Sequence, residues 1–376
     1  MGLEAALSGL ERGFDVTVLE KDRVGVSLRR WGHATRFFSP FAMNASHRMR
    51  RLLGREAPPD DALLTGPEMV ERVLLRVARS PLLEGRVREG HRVLAVGRAR
   101  MTRRELPGHP LRAERPFRLL VETERGEEAW EADVVLDASG VYDQPVALGA
   151  GGIPAQGERH LNGLAVRHLG TLEERLGTLS GRDVLLVGHG HSAATALGWL
   201  AELPLPPRIT WATRSPNRRP CLEVANDPLP ERDRVSRRAN DLAAEPPPFL
   251  AVERRANVEG FERAEDGRVR VTLSGGRGGV FDTVVGLTGY RPDLSFLSEL
   301  ALEISPVSEG AARLERALSS VTDCLTIPTL RDQDLASGEP GFALVGAKSY
   351  GRLPTFLLQT GLAQIEAILG RMAIAS

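Results

Sequence analysis

Apolar residues at Leu3, Ala6, Leu7 and Leu10 fall at i, i+3, i+4 and i+7, which predicts a helix over Met1 to Arg12 closed by Gly13. The run Asp15-Val-Thr-Val-Leu-Glu20 then alternates with period two and predicts a strand. From Arg29 to Arg51 neither period holds. Trp31, Phe37, Phe38, Pro40, Phe41 and Met43 make this stretch too apolar for a solvated linker and too irregular for a helix, so it is expected to line something. Helical spacing returns from Leu64 to Ala78 behind Thr65-Gly-Pro-Glu68. Strand-like runs at Arg92 to Val96, Phe117 to Thr123 and Asp133 to Leu136 then predict a meander ending at Asp137-Ala-Ser139-Gly140.

Glycine and proline crowd Gly149 to Gly157 and mark a boundary. Beyond it Asp183-Val-Leu-Leu-Val187 is an apolar strand, Gly188-His-Gly190-His191-Ser192-Ala193 turns into a helix through Leu203, and Arg208 to Thr213 is the next strand, a βαβ unit. Pro216 to Pro248, polar and proline-rich, is expected to be irregular. Ala251 to Arg255, Arg268 to Leu273 and Phe281 to Val285 predict a second meander. The remainder holds Thr288-Gly289-Tyr-Arg-Pro292, a strand at Phe342 to Val345, a loop from Gly346 to Arg352 and a closing helix from Pro354 to Arg371. The architecture of the first half recurs in the second, which places the chain in the α/β class with two Rossmann-like units, each carrying a meander.

Composition narrows the function. The 376 residues carry 49 basic and 49 acidic side chains, so no net field recruits nucleic acid or an anionic membrane. Cys221 and Cys324 lie far apart with no C-x-x-C, which points to a reducing compartment and excludes a disulfide framework. With no apolar leader and no run of eighteen apolar residues, a soluble cytoplasmic protein is expected. The histidines do not cluster, and no metal site is proposed; His189 and His191 sit in the glycine loop, where they meet cofactor or solvent. An isolated cysteine such as Cys324 reads either as a reactive thiol or, more commonly, as a small buried hydrophobe.

Gly188-x-Gly190-x-x-Ala193 carries the sharpest chemistry. The first glycine permits the tight turn, the second lets a pyrophosphate approach the backbone, and the small third residue lets helix and strand pack closely. At the tip of the following strand stands Arg214, with Arg218 and Arg219 behind it and no acid in place. Either these accept a 2′-phosphate, favouring NADPH over NADH, or they are solvated arginines in an arginine-rich chain. Gly2 and Glu20 bracket a second helix and strand that match the latter part of such a fingerprint, with the ribose-binding acid at its end. The first strand and first two glycines of that unit are not in the sequence, and a start codon placed too late is the favoured explanation.

Gly2-Leu-Glu-Ala-Ala with Glu20, Gly188-His-Gly-His-Ser-Ala193, Asp137-Ala-Ser-Gly-Val-Tyr142, Leu287-Thr-Gly-Tyr-Arg-Pro292 and Gly346-Ala-Lys-Ser-Tyr-Gly-Arg352 together resemble the two-dinucleotide-binding-domain flavoproteins, closest to the flavin-containing monooxygenase-like branch. The resemblance implies an FAD domain split between residues 1–155 and 286–376, with an NADPH domain at 156–285 inserted in it. It implies Glu20 with Lys21 at the FAD ribose, Ser139 and Gly140 near the dinucleotide, and Gly289 in a crossover between domains. Gly346, Ala347, Lys348 and Arg352 would face the flavin, and Trp31 and Ser39 would lie near its ring. Gly188, Gly190, His191, Ser192, Ala193 and Arg214 would hold NADPH.

The implied activity is NADPH oxidation by an FAD enzyme that hydroxylates a nitrogen or sulfur centre of a small molecule, without an assigned catalytic side chain. Alternatives are a reductase serving a protein or quinone acceptor, and an FAD-depleted module that binds NADPH without turnover. Lacking the first glycine turn, the chain is expected to hold FAD poorly. The absence of C-x-x-C excludes relatives whose electrons leave through a cysteine pair.

Overall fold

The computed structural model describes residues 1–161 and 163–375. Helix Gly2–Glu11 forms as its spacing predicts and buries Leu3, Ala6 and Leu7. The strand after it is shorter than the alternation suggested, Val18–Leu19, and pairs in parallel with Val87–Arg88. The stretch expected to be irregular contains two short helices, Phe41–Asn44 and His47–Leu53; the second is capped by the Ser46 side chain, which accepts from Met49 N. Thr65 and Glu68 close a capping box at the next helix, whose last turns run through a π-segment at Val70–Leu74.

Both meanders are present, the first with one strand different from expectation and the second with two. In the first, Arg92–Arg98, Phe117–Thr123 and Gly126–Ala132 pair antiparallel, while Val135–Asp137 leaves the meander and pairs in parallel with Phe342–Leu344. Gly126–Ala132 escaped the pattern because Glu127, Glu128 and Glu131 face solvent and no apolar alternation survives. In the second, Val258–Arg263, Val269–Leu273 and Arg277–Phe281 pair antiparallel. Leu250–Arg254 and Thr283–Gly286, expected in that meander, belong instead to the large sheet.

That sheet has five parallel strands in the order Leu250–Arg254, Arg208–Thr213, Asp183–Val187, Thr283–Gly286 and Ala165–Val166. Both faces are covered, so its central residues Val184, Leu185, Leu186, Trp211 and Val284 are fully buried, which explains their unbroken apolar run. Pro216 to Pro248 is not wholly irregular. Helix Pro230–Ala244 forms inside it, with proline in the first turn and Val235, Ala239 and Ala243 buried as a narrow stripe among charged residues.

The pairing of Val135–Asp137 with Phe342–Leu344 brings the two ends of the chain into one layer, so residues before and after the five-stranded unit share a half. The closing helix Leu358–Ala375 packs Ile365, Ile368, Leu369 and Met372 into that half. Charged clusters brace it. Arg48, 8% exposed, reaches Glu4, Glu11 and Glu366, and the fully buried Glu339 accepts from both Arg98 and Arg112. Arg98 therefore does not belong to the solvated sheet face expected for the basic run Arg86 to Arg104.

Candidate functional site

A cavity of about 1800 Å³ opens between the two halves and runs beneath helix Gly2–Glu11. Gly2, Glu20, Lys21, Trp31, Ser39, Ser139, Gly140 and Ala347 line it from the half made of both chain ends, and His191 and Ser192 line it from the glycine loop. Gly188, Gly190, Ala193, Arg214, Gly289, Gly346, Lys348 and Arg352 do not face it directly. Glu20 and Ala347, next to Gly346, thus border one shared space.

Next to Glu20 the chemistry suits a ribose. Glu20 lines the cavity, one of its carboxylate oxygens accepts from Asp22 N at 3.0 Å, and burial pushes the carboxyl up. Lys21 is committed elsewhere: it pairs with Asp143 at 2.7 Å, and Arg30 pairs with the same carboxylate at 2.8 Å. Helix Gly2–Glu11 has no side-chain cap, so its first backbone N–H groups remain for an anion. Ser39 is buried and bonded to Asn44. Arg352 is exposed, and Lys348 turns away from the cavity onto Asp137 and Ser139.

The sheet of this half is open in the middle. Val18 and Glu20 donate their N–H groups to the Val87–Arg88 side, while Val135 and Val345 bond within the Phe342–Leu344 pair. Residues of a parallel strand alternate between neighbours, so Thr17, Leu19 and Leu136 direct their backbone groups into the cavity that separates the two pairs. The start of helix Gly2–Glu11 lies against both pairs: a Cβ on Gly2 would lie 3.8 Å from Ala138 and 3.9 Å from Val18. Met1 sits in the gap, where burial pushes its ammonium pKa down.

The glycine loop is complete. Gly188 has φ of +120°, and a side chain there would collide with the carbonyl oxygen of Leu287. At Gly190 an added Cβ meets nothing within 4 Å, and the helix His191–Ala201 that it caps has no side-chain cap, so space and free N–H groups coincide. Ala193 is fully buried beneath the turn. Arg214, exposed at the strand tip, has no carboxylate partner among the described residues, whereas Arg218 donates to the carbonyl of Ala244 and Arg219 pairs with Glu223 and Asp241. Burial, then the nearby Arg214, holds the pKa of His189 down; burial and Arg232 do the same to His191. Both shifts favour the neutral imidazole, which offers hydrogen bonds rather than charge.

A crossover between the halves was expected at Gly289, but the contacts that join them elsewhere were not. Gly170 N donates to Arg30 O at 3.2 Å and Ala34 N donates to Glu173 at 3.2 Å, while within the half made of both chain ends Val146 N donates to Gly289 O at 2.9 Å. Tyr142 stacks on Tyr290 with ring centres 4.4 Å apart, and His168 Nδ1 lies 3.0 Å from the Tyr290 hydroxyl. Trp31 extends the column to the cavity wall, 6.2 Å from Tyr142. Nothing in the spacing of His168 announced this role. Cys221 and Cys324 are both buried; burial pushes the Cys221 thiol up to about 12 and raises that of Cys324, whose sulfur accepts from Arg232 at 3.0 Å. Among the described residues no three His, Cys, Asp or Glu side chains converge as metal ligands, and no helix is long and apolar enough to cross a membrane.

No family model and no curated protein matches the sequence. Solved structures do match along its whole length. The bacillithiol disulfide reductase Bdr (YpdA) from Bacillus cereus superimposes with a TM-score of 0.69 at 17% identity, covering 100% of this chain and 96% of that one. The ornithine N-hydroxylase KtzI of Kutzneria sp. 744, with reduced FAD, NADP⁺ and L-ornithine in its title, gives 0.64 at 17% identity, covering 99% and 96%. Thioredoxin reductase from T. acidophilum gives 0.60 at 14% identity, covering 100% and 94%. The chain has the fold of the two-dinucleotide-binding-domain flavoproteins.

Proposed function

We propose that the chain is an FAD-dependent oxidoreductase that oxidises NADPH and hydroxylates a nitrogen or sulfur centre of a small molecule. The observation that carries this reading is the single cavity bordered by Glu20, Ser139 and Ala347 on one side and by His191 and Ser192 on the other. FAD, when bound, supplies the two-electron chemistry that side chains lack. The chain's own part is to bind and orient. Glu20 takes the ribose of FAD, the uncapped helix at Gly2 takes phosphate, and Trp31 forms a wall. The loop Gly188 to Ala193 takes the NADPH pyrophosphate, and Arg214 takes its 2′-phosphate.

Two elevated, buried thiols and no C-x-x-C argue against release of electrons through a dithiol. The open sheet favours a second reading, a module that binds NADPH but retains FAD weakly, because backbone donors for the FAD phosphates are few at the gap.

An absorbance spectrum of the protein reconstituted with FAD and titrated with NADPH under nitrogen, then exposed to oxygen and candidate amines or thioethers, separates the readings. Bleaching by NADPH followed by hydroxylated product supports the monooxygenase. Bleaching followed only by quinone or protein reduction supports a reductase. A protein that stays colourless yet is thermally stabilised by NADPH is the binding module.

A further inference from the structure

Lys348 is one of only two lysines in the chain, and its side chain is 0% exposed. Its Nζ sits 2.7 Å from Asp137 Oδ2 as a charge pair and donates a hydrogen bond to Ser139 Oγ at 2.8 Å. The Ser139 hydroxyl in turn donates to Asp137 Oδ1 at 2.7 Å, and the same oxygen accepts from Ser139 N at 3.0 Å. The Phe296 ring covers the ammonium, 4.3 Å from its centre. Asp137 ends one strand and Lys348 opens the short helix after its partner strand, so the three groups close a ring across the edge where the two chain ends meet.

A serine hydroxyl has one proton and two acceptor lone pairs. The Ser139 proton is committed to Asp137 and one lone pair to Lys348. Only the second lone pair is left, and Ser139 is exposed on the cavity wall. A serine held this way cannot rotate to donate.

We propose that Asp137 and Lys348 are positioning residues that make Ser139 a fixed hydrogen-bond acceptor, so the ligand in this cavity must present a hydroxyl or N–H donor there. Lys348 itself does not touch the ligand. The inference rests on the flavin reading for its probe, because the donors offered are the hydroxyl and N–H groups of FAD.

The test titrates the full chain with FAD, followed by flavin fluorescence, with thermal melting of the ligand-free protein alongside. Ser139→Ala should weaken FAD about tenfold, the worth of one hydrogen bond to an oriented polar group, and lower the melting temperature less than Lys348→Met does, because the Asp137–Lys348 pair remains. Ser139→Thr, which keeps the hydroxyl, should bind like wild type. Lys348→Met leaves Asp137 buried without its partner and should lower both affinity and melting temperature. Combining it with Asp137→Leu removes the orphaned charge and should restore melting, while affinity stays low because the hydroxyl is free to turn. Wild-type affinity in Ser139→Ala or in the double variant overturns the inference and leaves the flavin reading standing. Wild-type protein that takes up no FAD overturns both.

Discussion

The two halves are built on one plan and held together differently. The glycine-loop half has five contiguous parallel strands whose central side chains are apolar and fully buried. The half made of both chain ends has two separate strand pairs facing a cavity. Beside its apolar cores it carries charges taken out of water: Glu339 with Arg98 and Arg112, Arg48 with Glu4, and Lys348 with Asp137. Apolar packing tolerates the loss of a partner gradually. A buried charge does not, since removing one member strands the other in a medium that cannot solvate it.

The largest effect should therefore come from the second half. Glu339→Ala leaves two guanidinium groups buried without a counter-charge and should cost about 3–5 kcal/mol, read by denaturant unfolding. A comparably sized apolar truncation confined to the glycine-loop half that costs more would reverse the comparison.

Acid should act on both halves. Burial alone would raise the Glu366 carboxyl, but hydrogen bonds from Arg48, Ser8 and Arg12 hold it down to about 2; Glu339 is likewise lowered by Arg112 and Arg98 against its burial. A carboxyl lowered in the folded state contributes stability that is present above its ordinary pKa, near 4.5, and is lost as pH falls toward its folded value. The half with these groups should loosen between about pH 4.5 and 2, and the other half, whose Asp183, Glu223 and Asp227 are also lowered by arginine partners, over its own acid range. Trp31 and Trp130 report on it, Trp199 and Trp211 on the other, so single-tryptophan variants can time the two.

Gly188→Val tests the glycine-loop half. The strained φ and the clash with Leu287 O should cost on the order of 1–3 kcal/mol and abolish thermal stabilisation by NADPH. Smallest is Arg214→Gln, which should weaken NADPH about tenfold by fluorescence titration and leave NADH unchanged. Equal loss for both would return Arg214 to the surface.

Where one face or one turn dictates the fold, the sequence was legible. Leu3, Ala6, Leu7 and Leu10 made a helix, Asp183 to Val187 a buried strand, and Gly188-x-Gly190-x-x-Ala193 its loop, because each pattern follows from local geometry. Strand partners were not legible. Thr283–Gly286 and Leu250–Arg254 resemble meander strands in isolation, and only their hydrogen-bonded neighbours assign them to the parallel sheet. The solvent-facing strand Gly126–Ala132 and the charged helix Pro230–Ala244 hid because their buried sides are narrow.

By itself the sequence determined the α/β class, the doubled plan and the glycine loop, since periodicity and turn chemistry are properties of neighbours along the chain. Tertiary structure alone decided that Lys348 faces Asp137 and Ser139 rather than the cavity, that Arg218 and Arg219 are occupied while Arg214 meets no carboxylate among the described residues, and that one sheet stands open. Those outcomes depend on which groups distant in sequence share a low-dielectric space, and no local pattern encodes that.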